Sequence, residues 1–83
     1  MTHEYMSNPV EKDRFYQAVG ERIREVREEQ NLSRAQVALD AKLSESTIDH
    51  AEKGLTISLL ALTKMAEALD VTLDELVPLG ALR

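Results

Sequence analysis

Apolar residues recur early in the chain as Phe15, Val19, Ile23 and Val26, at intervals of four, four and three. That spacing places them on one face of an α-helix. The opposite face carries Glu21, Arg22, Glu25, Glu28 and Glu29. Asn8 followed by Pro9 suits a helix start, and Glu11 falls in the first turn. The pattern predicts a helix from Pro9 to about Glu29, with Asn31 as a left-handed stop. Gly20 lies inside it and costs roughly 1 kcal/mol relative to Ala. Another helix packing against the missing side chain accounts for it.

The remainder of the chain repeats one local device. An apolar residue precedes a Ser or Thr cap, and a second apolar residue follows the cap by four positions. The instances are Leu32-Ser33 with Val37, Leu43-Ser44 with Ile48, Ile57-Ser58 with Leu62, and Val71-Thr72 with Leu76. Each is a cap with a hydrophobic staple, which fixes where a helix begins and how the chain enters it. Gln36 after Ser33 and Glu75 after Thr72 add the reciprocal capping-box residue. Four further helices are therefore predicted, near 33–40, 44–53, 58–69 and 72–77. Gly54, Asp70, and Pro78 with Gly80 supply the stops. Leu59, Leu62, Met65, Ala66 and Leu69 mark the expected buried face of the fourth of the five helices. No segment alternates with period two, so no strand is predicted.

Composition narrows the class. The chain has 83 residues, room for one domain with a small core. It has no Cys, which excludes disulfide scaffolds, thiol nucleophiles and Cys-ligated zinc. The longest strongly apolar run, Leu59 to Leu62, is far too short for a membrane span or a signal-peptide core. A cytoplasmic protein without membrane attachment is the expectation. Fifteen acidic residues against ten Lys and Arg give a formal charge of -5. That balance argues against indiscriminate polyanion binding. His3 lies in the terminal segment and His50 stands alone on a helix, with no catalytic grouping, metal-ligand spacing or phosphate-binding Gly loop. No enzyme and no cofactor is expected.

The short connection at Ala41, Lys42 and Leu43 forces a steep angle between the second and third helices. That is a helix-turn-helix, whose second helix can enter a major groove. Ala38 is small where the helices approach; Val37, Leu43 and Ile48 fill the wedge and Ala51 closes it. With Gly20 to Arg27, Leu32-Ser33, Val37-Ala38, Ser44 to Ile48, Glu52-Lys-Gly54 and Met65 to Leu76 in this order, the sequence resembles the Cro/CI-like (Xre) helix-turn-helix regulators of prokaryotes and phages.

The resemblance implies an all-α, five-helix, lambda-repressor-like DNA-binding domain over residues 9–77, here with an extended first helix. Residues 1–8 would be a flexible N-terminal segment and residues 78–83 a tail. It also implies a homodimer on double-stranded DNA with an inverted-repeat operator. Ser44, Glu45, Ser46 and His50 fall at the groove-facing positions of the reading helix. Arg34, Lys42, Thr47, Lys53 and Thr56 fall where phosphate contacts are expected, and a solvated surface Arg is the competing reading of Arg34. Arg27 and Glu52 match a pair that joins the first helix to the end of the reading helix. Leu76, Val77, Leu79 and Leu82 make the expected dimer contact; cover for the chain's own core is the alternative.

Three positions depart from the family pattern. Lys42 stands where Gly is usual and costs something like 1 kcal/mol if its φ is positive. The reading helix is acidic, with Glu45, Asp49 and Glu52 against Lys53. Glu45 either accepts a hydrogen bond from a cytosine or simply complements the helix dipole. Asp49 is read as a peripheral surface residue. The loop from Gly54 to Ser58 is short and lacks basic residues, as in small controller proteins of restriction–modification systems. Few cations predict a shallow salt dependence. The rival function is a protein-interaction module or antitoxin on the same scaffold, which the acidic helix favours.

Overall fold

The computed structural model describes residues 9–78. Five helices follow one another: α1 (Pro9–Glu29), α2 (Arg34–Ala41), α3 (Glu45–Glu52), α4 (Leu59–Ala68) and α5 (Leu73–Leu76). No strand occurs among the described residues. The architecture is all-helical, as the spacing predicts. Leu79 and Leu82 of the expected dimer contact lie outside the described residues.

The caps set the helix starts. Ser33, Ser44 and Ser58 hold extended backbone, and each hydroxyl accepts from the amide three residues on. At Ser33 the capping box closes, with the Ser33 amide donating to Gln36 Oε1 at 2.7 Å. At Thr72 the Glu75 carboxylate accepts from the backbone amide at 2.7 Å and from the hydroxyl at 3.0 Å. The staple residues sit as expected: Val37, Ile48, Leu62 and Leu76 belong to the buried core, and Leu32, Leu43, Ile57 and Val71 pack against that core. Each predicted range included the cap itself, so the helices proper begin one residue later.

Helix α1 packs on α3 and α5, α2 packs on α3 and α4, and α4 packs on α5. The core joins Val19, Ile23 and Val26 of α1 to Val37, Ile48, Leu62, Met65, Leu69 and Leu76. Gly20 is where α1 meets α3. A Cβ there would collide with the carbonyl oxygen of Ala51 and lie 3.0 Å from that of Glu52. The absent side chain lets the two backbones touch. Two polar ties complete the frame: Gln30 Nε2 donates to the Leu69 carbonyl at 2.7 Å, and Arg22 Nε to the Glu75 carbonyl at 2.9 Å.

Two expectations about apolar residues are corrected here. Leu76 was assigned to the dimer contact, but it is 0% exposed and belongs to the monomer's core. The staple explains why, since Leu76 stands four residues after Thr72 and seats α5. Leu59 was placed on the buried face of α4, yet it is 70% exposed. It is the first residue of α4, at the open end of the apolar stripe. Leu60, on the outer face, is 66% exposed.

Candidate nucleic-acid interface

The α2–α3 connection consists of Lys42, Leu43 and Ser44. Lys42 has φ 58° and ψ 45°, the left-handed conformation that Gly adopts without strain. Its amide caps α2 by donating to the carbonyls of Ala38 and Leu39. The expected positive φ is therefore present, and the exposed Lys42 side chain stands at the outer corner of the turn.

Helix α3 is held from inside and free outside. Its inner positions Ile48, Ala51 and Glu52 are buried. Its outer positions Glu45, Ser46 and His50 are exposed. Ser44 is the cap. Its hydroxyl accepts from the Thr47 amide at 3.2 Å and shares short contacts with Ser46 Oγ at 3.1 Å and Thr47 Oγ1 at 2.7 Å. The first turn of α3 is thus a small hydroxyl network, with Ser44 and Ser46 exposed. A shallow groove beside it is lined by Ser46, Thr47, His50, Thr56, Ile57 and Ser58. The Ser58 hydroxyl there caps α4 through the Ala61 amide at 3.0 Å.

Glu52 is the anchor. Its side chain is 2% exposed. Arg27 meets it as a fork, Nε to Oε2 at 2.6 Å and Nη2 to Oε1 at 3.1 Å. The remaining Nη1 of Arg27 donates to the Leu32 carbonyl at 2.9 Å, which fastens the α1–α2 turn to the same pair. Hydrogen bonding to Glu52 raises the Arg27 pKa above its ordinary value despite burial, so the guanidinium stays charged. Among the described residues no buried side-chain nitrogen or oxygen lacks a partner. The fork is what makes a buried pair tolerable.

Two cations expected to meet phosphates are engaged within the chain. Arg34, expected as a phosphate ligand or a solvated Arg, keeps a side chain that is 41% exposed while forming ion pairs within the chain. Its Nε donates to Glu52 Oε1 at 3.0 Å and lies 3.9 Å from Asp49 Oδ1. Lys53 Nζ lies 3.0 Å from Asp49 Oδ2, one helical turn earlier. The hydrogen bond from Lys53 is the main cause that lowers the Asp49 pKa below the usual carboxylate value, with further help from Lys53, Arg34 and His50 charges. Asp49 lies at the surface, as expected, and there joins Lys53 and Arg34 in a charged cluster. The i,i+4 spacing of Asp49 and Lys53 was a usable signal for half of it. Nothing local announces the Arg34 half, which depends on how α2 crosses α3.

A short turn, a second helix clamped by its inner face and a polar outer face make a helix-turn-helix of the DNA-binding regulator class. The profile of the helix-turn-helix family matches residues 23–76, and the chain belongs to that family, in its Xre-like form. Among solved structures it is similar to the restriction-modification controller protein C.AhdI from Aeromonas hydrophila. The identity is 34%, over 74% of this chain and 94% of that one, with a TM-score of 0.71. No curated protein sequence matches the chain. No helix among the described residues is long and apolar enough to cross a membrane.

Proposed function

We infer that this regulator binds an inverted-repeat operator as a homodimer and controls transcription, with α3 of each protomer in a major groove. The observation that carries the reading is the two-sided character of α3. Glu52, Ile48 and the Gly20 seam hold its inner face, while Glu45, Ser46 and His50 project to solvent. Ser46 and His50 are the readers to which hydrogen bonds with base edges are assigned. Glu45 accepts from cytosine N4 on this reading. The Ser44 hydroxyl is committed to the cap, so its part is to shape the first turn. Lys42, Thr47 and Thr56 border the reading face at phosphate positions, joined by Arg34 and Lys53 when they leave their carboxylate partners.

The pair Leu59 and Leu60 offers the exposed apolar surface that a second copy would cover. Val77 and the tail residues Leu79 and Leu82 are assigned to the same contact. Control of a restriction–modification system is the setting that similarity to a controller protein supports.

The test is selection of bound duplexes from a random pool, followed by titration of the selected duplex with Ser46→Ala and His50→Ala. An inverted repeat whose affinity drops tenfold or more in either variant supports the reading. No enrichment at low salt rejects it and leaves a protein-binding module on the same scaffold.

A further inference from the structure

Two grooves flank the outer stripe of α3. One, lined largely by hydroxyls, runs past Thr47 and His50 to the loop before α4. The other lies between α1 and α3, where Gln17, Glu21 and Arg24 face Asp49, Glu52 and Lys53, with Arg34 at the start of α2. At 3.6 residues per turn, Thr47 and Asp49 stand about 160° apart around α3, and Ser46 and His50 fall between them. A helix lying in a major groove has one phosphate backbone on each flank. The reading face is therefore bordered by a hydroxyl wall on one side and a charged wall on the other.

The three cations of the charged wall are not equivalent. Arg34 is held by Glu52 at 3.0 Å and Lys53 by Asp49 at 3.0 Å. Arg24 is exposed and, among the described residues, has neither a hydrogen bond nor an ion pair. Its neighbours on α1 differ: Arg22 is tied to Glu25 and the Glu75 carbonyl, and Arg27 to Glu52. Glu21, three residues before Arg24, is an opposing charge in the groove. Counting Arg27 behind Glu52, four cations stand there against three carboxylates. A phosphate entering this groove meets one guanidinium that no carboxylate has to release.

We propose that the α1–α3 groove seats a phosphate of one DNA strand and that Arg24 binds it. This deepens the DNA-binding reading above and rests on it. It adds a contact from α1, to which that reading gives only the clamp and the Gly20 seam. The planar fork of a guanidinium suits two phosphate oxygens at once. Such a contact carries no sequence information; it fixes the register of α3 on the duplex and adds affinity.

The experiment titrates the full chain, Arg24→Gln and Arg14→Gln against the pool-selected duplex between about 50 and 200 mM salt. Arg14 is the control, since it is exposed on the same helix and lies outside the groove. Arg24→Gln is expected to flatten the log–log salt slope by about 0.9 per bound subunit and to weaken binding at low salt on the order of tenfold. Arg14→Gln is expected to leave both unchanged. Duplexes neutralised at single phosphates by methylphosphonate then locate the contact. One position is expected to weaken the wild type and leave Arg24→Gln unaffected. An unchanged slope in an Arg24→Gln variant that melts like the wild type overturns the proposal while the DNA reading stands. Equal flattening by Arg14→Gln also overturns it, because the effect is then one of net charge. If the wild type binds no duplex at low salt, the DNA reading fails and the proposal fails with it.

Discussion

Arg27 and Glu52, twenty-five residues apart, meet as a fork with Nε to Oε2 at 2.6 Å, and both are inside the protein. The pair connects α1 to the last turn of α3. Removing Glu52 strands the Arg27 charge in the interior, and removing Arg27 leaves the buried Glu52 with the half-exposed Arg34 alone. Glu52→Gln or Arg27→Met is expected to cost about 3–5 kcal/mol, seen as a lower urea midpoint. Arg34→Ala removes a half-exposed partner of the same carboxylate and is expected to cost under about 1 kcal/mol. Equal losses for Arg27 and Arg34 variants contradict this ordering.

Gly20→Ala sets two effects against each other. Ala improves helix propensity by about 1 kcal/mol. The new methyl group collides with the Ala51 carbonyl, a backbone atom that cannot turn aside. Overpacking of this kind costs about 1–3 kcal/mol, and more where backbone must shift. A net loss of stability is expected in chemical denaturation, with the m-value unchanged.

Lys42→Gly is expected to stabilise. The left-handed backbone costs a side-chain-bearing residue about 1–2 kcal/mol, against about 0.5–1 kcal/mol of extra unfolded-state freedom for Gly. The difference predicts a gain of about 0.5 kcal/mol and a small rise in Tm. On the DNA reading, the same change removes a phosphate contact and flattens the salt slope.

Leu76 and Leu60 separate stability from association. Leu76→Ala empties a fully buried site and is expected to cost about 2–5 kcal/mol. Leu60→Lys changes an exposed side chain, so monomer stability stays within about 0.5 kcal/mol. Sedimentation velocity should show Leu60→Lys shifted toward monomer. Undiminished self-association removes Leu60 from the proposed contact.

Asp49 and Asp74 both have pKa values below the ordinary carboxylate, through Lys53 and through the Thr72 side chain respectively. A folded pKa below the unfolded one favours the native state above the unfolded value. That contribution disappears as pH falls through the folded value. The window therefore lies below about pH 4, the ordinary Asp pKa. The Asp49 and Asp74 carboxyl resonances followed by NMR should titrate below the ordinary Asp value. Lys53→Gln should move Asp49 upward and leave Asp74 in place.

The helix starts were legible because caps and staples are local. Ser33, Ser44, Ser58 and Thr72 each need only residues within four positions to declare a start. Leu76 shows the limit of the same signals. It belonged both to a staple and to an apolar C-terminal run, and only the staple describes its contacts. Leu59 misled for a geometric reason: periodicity assigns a face, but not where along the helix that face is covered. Arg27–Glu52 was visible through resemblance alone, since nothing in its spacing pairs two residues on different helices. Asp49 was missed as the centre of a cluster because Arg34 reaches it only through the crossing of α2 over α3.

At Gly20 main chain rests against main chain, so the placement of α3 depends little on what its outer side chains are. Glu45, Ser46, Asp49 and His50 can then be rewritten together without dislodging the helix that displays them. Such a scaffold is portable. New target preferences could be grafted onto it by exchanging a few outward residues, while the seam beneath stays as it is.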